Sequence, residues 1–223
     1  MSKCSTSSDA SATRGAEGRQ AHKAEPRGQL VVLSGPAGAG KTTVAKRLCE
    51  QTDLRRSVSA TTRSPRRGEV HGRDYYFVTE EEFRQMVARG EFLEHARVHG
   101  HLYGTPRRPI ENALRAGESC LLVIDVQGAM QVREQLPHAL LIFLDAPDEA
   151  TRARRLGERH TEDPRDRQRR RAAAAVERHF KEHYDHYVVN DDLGRTVAEL
   201  RSIIVRGPKP EDRRHAANGR GND

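Results

Sequence analysis

Tryptophan is absent from this 223-residue chain, and aromatic side chains make up only 4% of it. Few flat surfaces are on hand for stacking unpaired bases, and no nucleic-acid-binding module is recognisable. The net charge of +7 still attracts polyphosphate of any kind, polymer or mononucleotide. A polymer binder would be retained on DNA or RNA with a steep salt dependence. No apolar run approaches the roughly 20 residues that cross a bilayer, and Met1–Arg27 lacks the apolar centre of a secretory leader. A cytoplasmic protein without a membrane partner is expected. Cysteine is scarce too: Cys4, Cys49 and Cys120 are odd in number and irregular in spacing, which favours core thiols over disulfides or a thiolate metal site.

The hydrophobic fraction, 35%, is low for a globular chain, and the deficit is concentrated at the ends. Residues 1–28 and 207–223 contain almost no large apolar side chains and read as disordered tails. Between them, Gln29–Ser34 (QLVVLS), Ser119–Asp125 (SCLLVID) and Ala139–Leu144 (ALLIFL) are short β-branched or leucine-rich runs, with a shorter one at Tyr187–Asn190. They alternate with helical spacing such as Val44, Ala45, Leu48 and Cys49, the pattern of an α/β fold with a central parallel sheet and helices on both faces. The expected core is 29–56, 106–149 and 172–206. Residues 57–105, with glycine turns and short polar-flanked strands, read as an inserted small mixed domain. Nine arginines crowd 150–171, which reads as a mobile, poorly packing segment.

Gly35–Thr42 reads GPAGAGKT and fills G-x-x-x-x-G-K-[ST] between a buried strand and an amphipathic helix. Gly35, Pro36, Ala37, Gly38, Ala39 and Gly40 would curl backbone N–H groups around phosphate oxygens at a positive helix end, with Thr43 following in the helix. Lys41 would reach the β and γ phosphates of ATP, and the Thr42 hydroxyl would join the shell of Mg²⁺. Asp125, at the carboxyl edge of the sheet, is a candidate for water-mediated contact to Mg²⁺ or for orienting an acceptor; capping the helix that follows is its plainer role.

Ser57–Val78 reads SVSATTRSPRRGEVHGRDYYFV and contains every specified residue of S-x-S-x-T-T-R-x-P-R-x-G-E-x-x-G-x-x-Y-x-F. With FLEHARVHGHLYGT at 92–105, IDVQGA at 124–129 and VVNDDL at 188–193, the chain closely resembles guanylate kinases, P-loop nucleoside monophosphate kinases, over roughly Leu30–Val205. The resemblance implies that GMP, or dGMP, accepts the γ-phosphoryl group of ATP. It makes 57–105 the acceptor-binding domain and 150–171 a lid. It implies that Arg63, Arg66, Tyr75 and Tyr103 grip the acceptor phosphate, that Glu69 holds the arginines and the base, and that Ser59, Glu94 and Thr105 read guanine. Arg155, Arg159 and Arg170 match lid arginines, and Asn190 matches a residue near the adenine of ATP. Taken singly, each of these arginines, tyrosines and carboxylates would more often be a surface or core residue; their joint order points to a site. Guanine's N1–H and N2 amino group suit a carboxylate, and adenine offers no such donor pair. The acceptor phosphate has a pKa of about 6, so the attacking oxygen is already anionic and needs no general base.

The resemblance has departures. Val123 stands where an acidic residue is usual, and His160 stands where the lid carries glycine. His71, His95, His99 and His101 lie near the acceptor residues without the spacing of a metal site. Two other readings stand beside the kinase: a guanylate-kinase-like binding module that has lost catalysis, and an accessory kinase for a modified purine monophosphate.

Overall fold

The computed structural model describes residues 28–98, 100–157 and 178–207. The two tails, His99, and most of the arginine-rich segment, including Arg159, His160 and Arg170, lie outside the described residues. Strand β1 (Leu30–Ser34) runs into the glycine loop and α1 (Lys41–Cys49). Then come β2 (Arg55–Arg56), β3 (Ala60–Thr61), β4 (Tyr76–Phe77), α2 (Glu80–Ala88), β5 (Phe92–Val98), β6 (His101–Pro106) and α3 (Arg107–Arg115). The chain continues through β7 (Cys120–Val123), α4 (Val126–Gln135), β8 (Leu140–Asp145) and α5 (Glu149–Gly157). It closes with a 3₁₀ turn (Arg178–His183), β9 (His186–Val189) and α6 (Leu193–Arg206).

Five strands form a parallel sheet in the order β2-β7-β1-β8-β9. Alternation along the strands divides the core in two. Val32, Leu122, Leu141 and Phe143 face Ile110 and Ala113 of α3 and Val126, Ala129 and Val132 of α4. Val31, Leu33, Leu121, Leu140 and Ile142 face Val44 and Leu48 of α1 and Val197, Leu200 and Ile203 of α6. Each fully buried aliphatic contributes roughly 1.5–3 kcal/mol of transfer free energy, so these two layers anchor the frame. Because both faces are covered, the strands read as continuous apolar runs.

A second, mixed sheet has the order β4-β3-β6-β5. It holds a small core of Ala60, stacked Phe83 and Phe92 (ring centroids 4.5 Å apart), and flanking aliphatics. Helix α2 starts on a capping box in which Thr79 accepts from Glu82 N–H and the Glu82 side chain accepts from Thr79 N–H. No helix among the described residues is long and apolar enough to cross a membrane.

Two sequence expectations need correction. The strand expected over Ser119–Asp125 stops at Val123, because Asp125 turns out of the sheet to cap α4: its carboxylate accepts from Gly128 N–H at 3.0 Å. The start of the arginine-rich segment does not pack poorly. Helix α5 buries Leu156 and Arg152, and Arg152, only 2% exposed, is among the largest fully buried side chains among the described residues.

Candidate active site

A cavity of about 180 Å³ opens at the carboxyl end of β1, between the two sheets. The phosphate loop supplies Gly35, Pro36, Ala37, Gly38, Gly40, Lys41 and Thr42 to its wall, and the mixed-sheet segment supplies Ser59, Arg63, Arg66, Tyr75, Glu94 and Tyr103. Val98, Val123, Ile124 and Asp125 complete the lining. Of the other candidates, Glu69 and Thr105 stand directly behind this wall, Ala39 and Asn190 brace the loop, and Thr43 is exposed on α1.

The loop's shape follows from close packing. Gly35 has φ 136° and passes so near β8 that a Cβ would lie 2.0 Å from the Leu144 carbonyl oxygen, so only glycine fits. At Gly40, φ 92°, a Cβ would meet Asn190 Nδ2 at 2.4 Å. That amide donates to the Ala39 carbonyl at 2.8 Å, while Asn190 Oδ1 accepts from Thr196 at 3.3 Å. Both ends of the buried Asn190 side chain are thus engaged in holding the loop. Asn190→Ala would leave the Ala39 carbonyl unpaired and is expected to lower stability by about 2 kcal/mol. Thermal unfolding measures this, and an unchanged midpoint would count against the brace. Lys41 Nζ is folded over the loop, donating to the Gly35 carbonyl and to the Pro36 carbonyl at 3.1 Å.

Helix α5 packs on the same loop. The Arg152 backbone and Cγ lie where a Cβ of Gly38 would project, and its guanidinium pairs with Glu149, which is itself 52% exposed. Sequence reading assigned Arg152 no role. A single arginine among nine carries no mark of burial, and only the i, i+3 spacing from Glu149 hinted at a partner. Arg155, one turn further, donates through Nη2 to the Asn190 carbonyl at 3.0 Å, and its buried Nη1 has no partner among the described residues. An unpartnered buried guanidinium nitrogen beside a phosphate loop is a donor ready for an anion.

Across the cavity, Glu69 organises the arginines. Its Oε1 accepts from Arg63 Nη2 at 2.9 Å and its Oε2 from Arg66 N–H at 2.7 Å. The Arg63 guanidinium also lies 5.5 Å from the Tyr75 ring centroid, and Tyr75 meets Tyr103 edge-on at 6.1 Å. Two guanidinium groups and two phenols around one space suit a phosphate dianion.

Glu94, 3% exposed, comes from β5. Its Oε1 accepts from the Thr105 hydroxyl at 2.6 Å, and Ser59 Oγ lies 3.5 Å from the same hydroxyl. Burial pushes the Glu94 carboxyl up to about 7; the Thr105 hydrogen bond opposes the shift and the nearby Asp125 adds to it. Burial also raises Asp125, against the Gly128 N–H and the charge of Lys41. The Thr42 hydroxyl and the Asp125 carboxylate are hard oxygen donors on the same wall, and the described residues contain no cluster of three or more His, Cys, Asp or Glu able to hold a metal by themselves. Such a site fits Mg²⁺, which keeps waters and phosphate oxygens as most of its ligands.

Comparison with known proteins concerns the chain as a whole. Residues 27–206 match the family described as guanylate kinase. The guanylate kinase of Caldanaerobacter subterraneus subsp. tengcongensis is 42% identical over 180 residues, covering 80% of this chain and 87% of that protein. The guanylate kinase of Leifsonia xyli subsp. xyli is 47% identical over 194 residues, covering 86% and 76%. The crystal structure of guanylate kinase from Anaplasma phagocytophilum superimposes with a TM-score of 0.68 at 37% identity, over 83% of this chain and 89% of that one.

Proposed function

Because this chain belongs to the guanylate kinase family and is an ATP:GMP phosphotransferase, we propose the residue roles by which its cavity joins the two nucleotides. One observation carries them: the phosphate loop and the group of Arg63, Arg66, Tyr75, Tyr103 and Glu94 line one and the same cavity. In this reading 57–105 is the acceptor domain and 150–171 the lid.

Backbone N–H groups of Gly35 to Gly40 cradle the donor phosphates, with Thr43 at the start of the helix. Lys41 leaves its loop carbonyls to follow charge onto the transferring group. Arg63 and Arg66, oriented by Glu69 and joined by Tyr75 and Tyr103, hold the GMP phosphate, so that its anionic oxygen lies in line with the γ-phosphorus. Arg155 Nη1 adds charge from the donor side, and Arg159 and Arg170 are assigned to the same task. Mg²⁺, held through the Thr42 hydroxyl and through water by Asp125, would neutralise charge between the donor phosphates. Asp125 also fixes the start of α4 beneath the acceptor. Asn190, assigned to ATP from sequence, serves ATP through the loop it braces. Glu94, seconded by Thr105 and Ser59, accepts from guanine N1–H and the N2 amino group. The assigned residues address base and phosphate, so dGMP is an expected acceptor as well. The setting we assign is cytoplasmic purine nucleotide metabolism.

The deciding assay is ADP release with ATP, Mg²⁺ and each of GMP, dGMP, AMP, CMP and UMP. Turnover with the guanine nucleotides alone is expected. Equal turnover with AMP would sink the role of Glu94, and silence with all five would return the binding-module reading to consideration.

A further inference from the structure

We infer that Gly128 of α4 is a specificity-determining position, which by lacking a side chain sets how the guanine-reading carboxylate of Glu94 is seated; the inference rests on the role proposed above for Glu94. Gly128 is the third residue of α4, after the Asp125 cap. Inside a helix glycine is less stable than alanine, so a helical glycine asks for a reason. Here the reason is spatial. A Cβ at Gly128 would lie 2.3 Å from Glu94 Oε2, 2.9 Å from Glu94 Cδ and 3.3 Å from Asp125 Oδ1. The carboxylate occupies the space a methyl group would take.

Strand β5 is not free to retreat from such a methyl group. Gln131 and Gln135, three and seven residues beyond Gly128, share its face of the helix. Gln131 Oε1 accepts from His95 N–H at 3.1 Å, and Gln131 Nε2 donates to the His95 carbonyl at 2.8 Å. Gln135 Nε2 donates to the Leu93 carbonyl at 2.8 Å. Both chain neighbours of Glu94 are therefore tied to α4. Thr105 holds Oε1 from the other side. A methyl group at 128 would displace Oε2 while backbone and Oε1 stay fixed, twisting the carboxylate away from the plane in which it can face two adjacent guanine donors. The face formed by Gly128, Gln131 and Gln135 acts as a gauge for the acceptor base, and Gly128 is a positioning residue that never touches the nucleotide.

The test is titration calorimetry of GMP, IMP and ATP against wild type and Gly128→Ala, with Glu134→Ala, exposed on the same helix, as control. IMP lacks the N2 amino group. Gly128→Ala is expected to weaken GMP at least tenfold and to shrink the preference for GMP over IMP, with ATP affinity and melting temperature near those of wild type. GMP affinity within twofold of wild type in folded Gly128→Ala would overturn the inference. Should that variant fail to fold, Gln131→Ala decides: a severalfold loss of GMP affinity with ATP unchanged supports the gauge, and unchanged GMP affinity overturns it. Wild type that binds ATP but no GMP would instead remove the role of Glu94, and the inference with it.

Discussion

Lys41→Ala is expected to lower GMP-dependent ADP formation by on the order of 10³-fold while leaving GMP affinity within about twofold of wild type. The ammonium is already positioned by the carbonyls of Gly35 and Pro36, in a loop clamped by β8 and by Asn190. To act, it exchanges those carbonyls for oxygens of the transferring phosphoryl group. Its charge matters most when negative charge spreads over the phosphoryl group in flight, so the loss falls on kcat more than on either binding step. Steady-state rates with calorimetric GMP binding separate the two. A variant that keeps more than a tenth of wild-type kcat would show that charge at this position is dispensable.

The second large effect is expected at Glu94. Glu94→Gln places an amide donor beside guanine's own donors and should cut kcat/KM for GMP by about 10²-fold or more, with KM for ATP unchanged. The native carboxyl is also expected to make GMP binding pH-dependent. Folding raises it from 4.5 to about 7, so the folded chain retains a proton that the unfolded chain releases. The associated stability, roughly 3 kcal/mol, is fully present below pH 4.5 and is lost as pH rises through 7. In the role proposed for Glu94, guanine recognition requires the anion. GMP affinity should therefore increase as pH rises from 6 to 8, with a proton released on binding near pH 6.5. The acceptor phosphate titrates at about pH 6, and Glu94→Gln isolates that contribution: the wild-type dependence above pH 6.5 should vanish in it. A proton count equal in the two proteins would show that Glu94 is already ionised before GMP arrives.

What the sequence disclosed and what it withheld divide by range. The buried strands at Leu30–Ser34 and Leu140–Asp145 were visible because apolar runs ending in glycine or aspartate are local signals. The phosphate loop was visible for the same reason, and the residues of the acceptor wall through resemblance. Arg152 beneath Gly38, Asn190 against Ala39, and the glutamines of α4 against β5 depend on pairings between distant segments, and no spacing announces them. Asp125 shows the limit within a single residue: an acidic end to an apolar run reads equally as strand end or helix cap, and its hydrogen bond to Gly128 made it the cap.

The parallel sheet also spreads the two halves of the site unevenly along the chain. Strand β1 has no sheet partner until β7 and β8, since Leu30 pairs with Cys120 and Val31 with Leu140, and its loop is braced by a residue 151 positions away. The mixed sheet needs far less chain: Ala60 pairs with Gly104, and the glutamines that tie down β5 follow by residue 135. During synthesis at roughly 5–20 residues per second, the surface assigned to GMP can assemble several seconds before Asn190 emerges to brace the surface assigned to ATP. A chain ending at residue 135 would hold every residue assigned to GMP yet lack both β8 and the Asn190 amide that clamp the phosphate loop, and is expected to turn over no ATP.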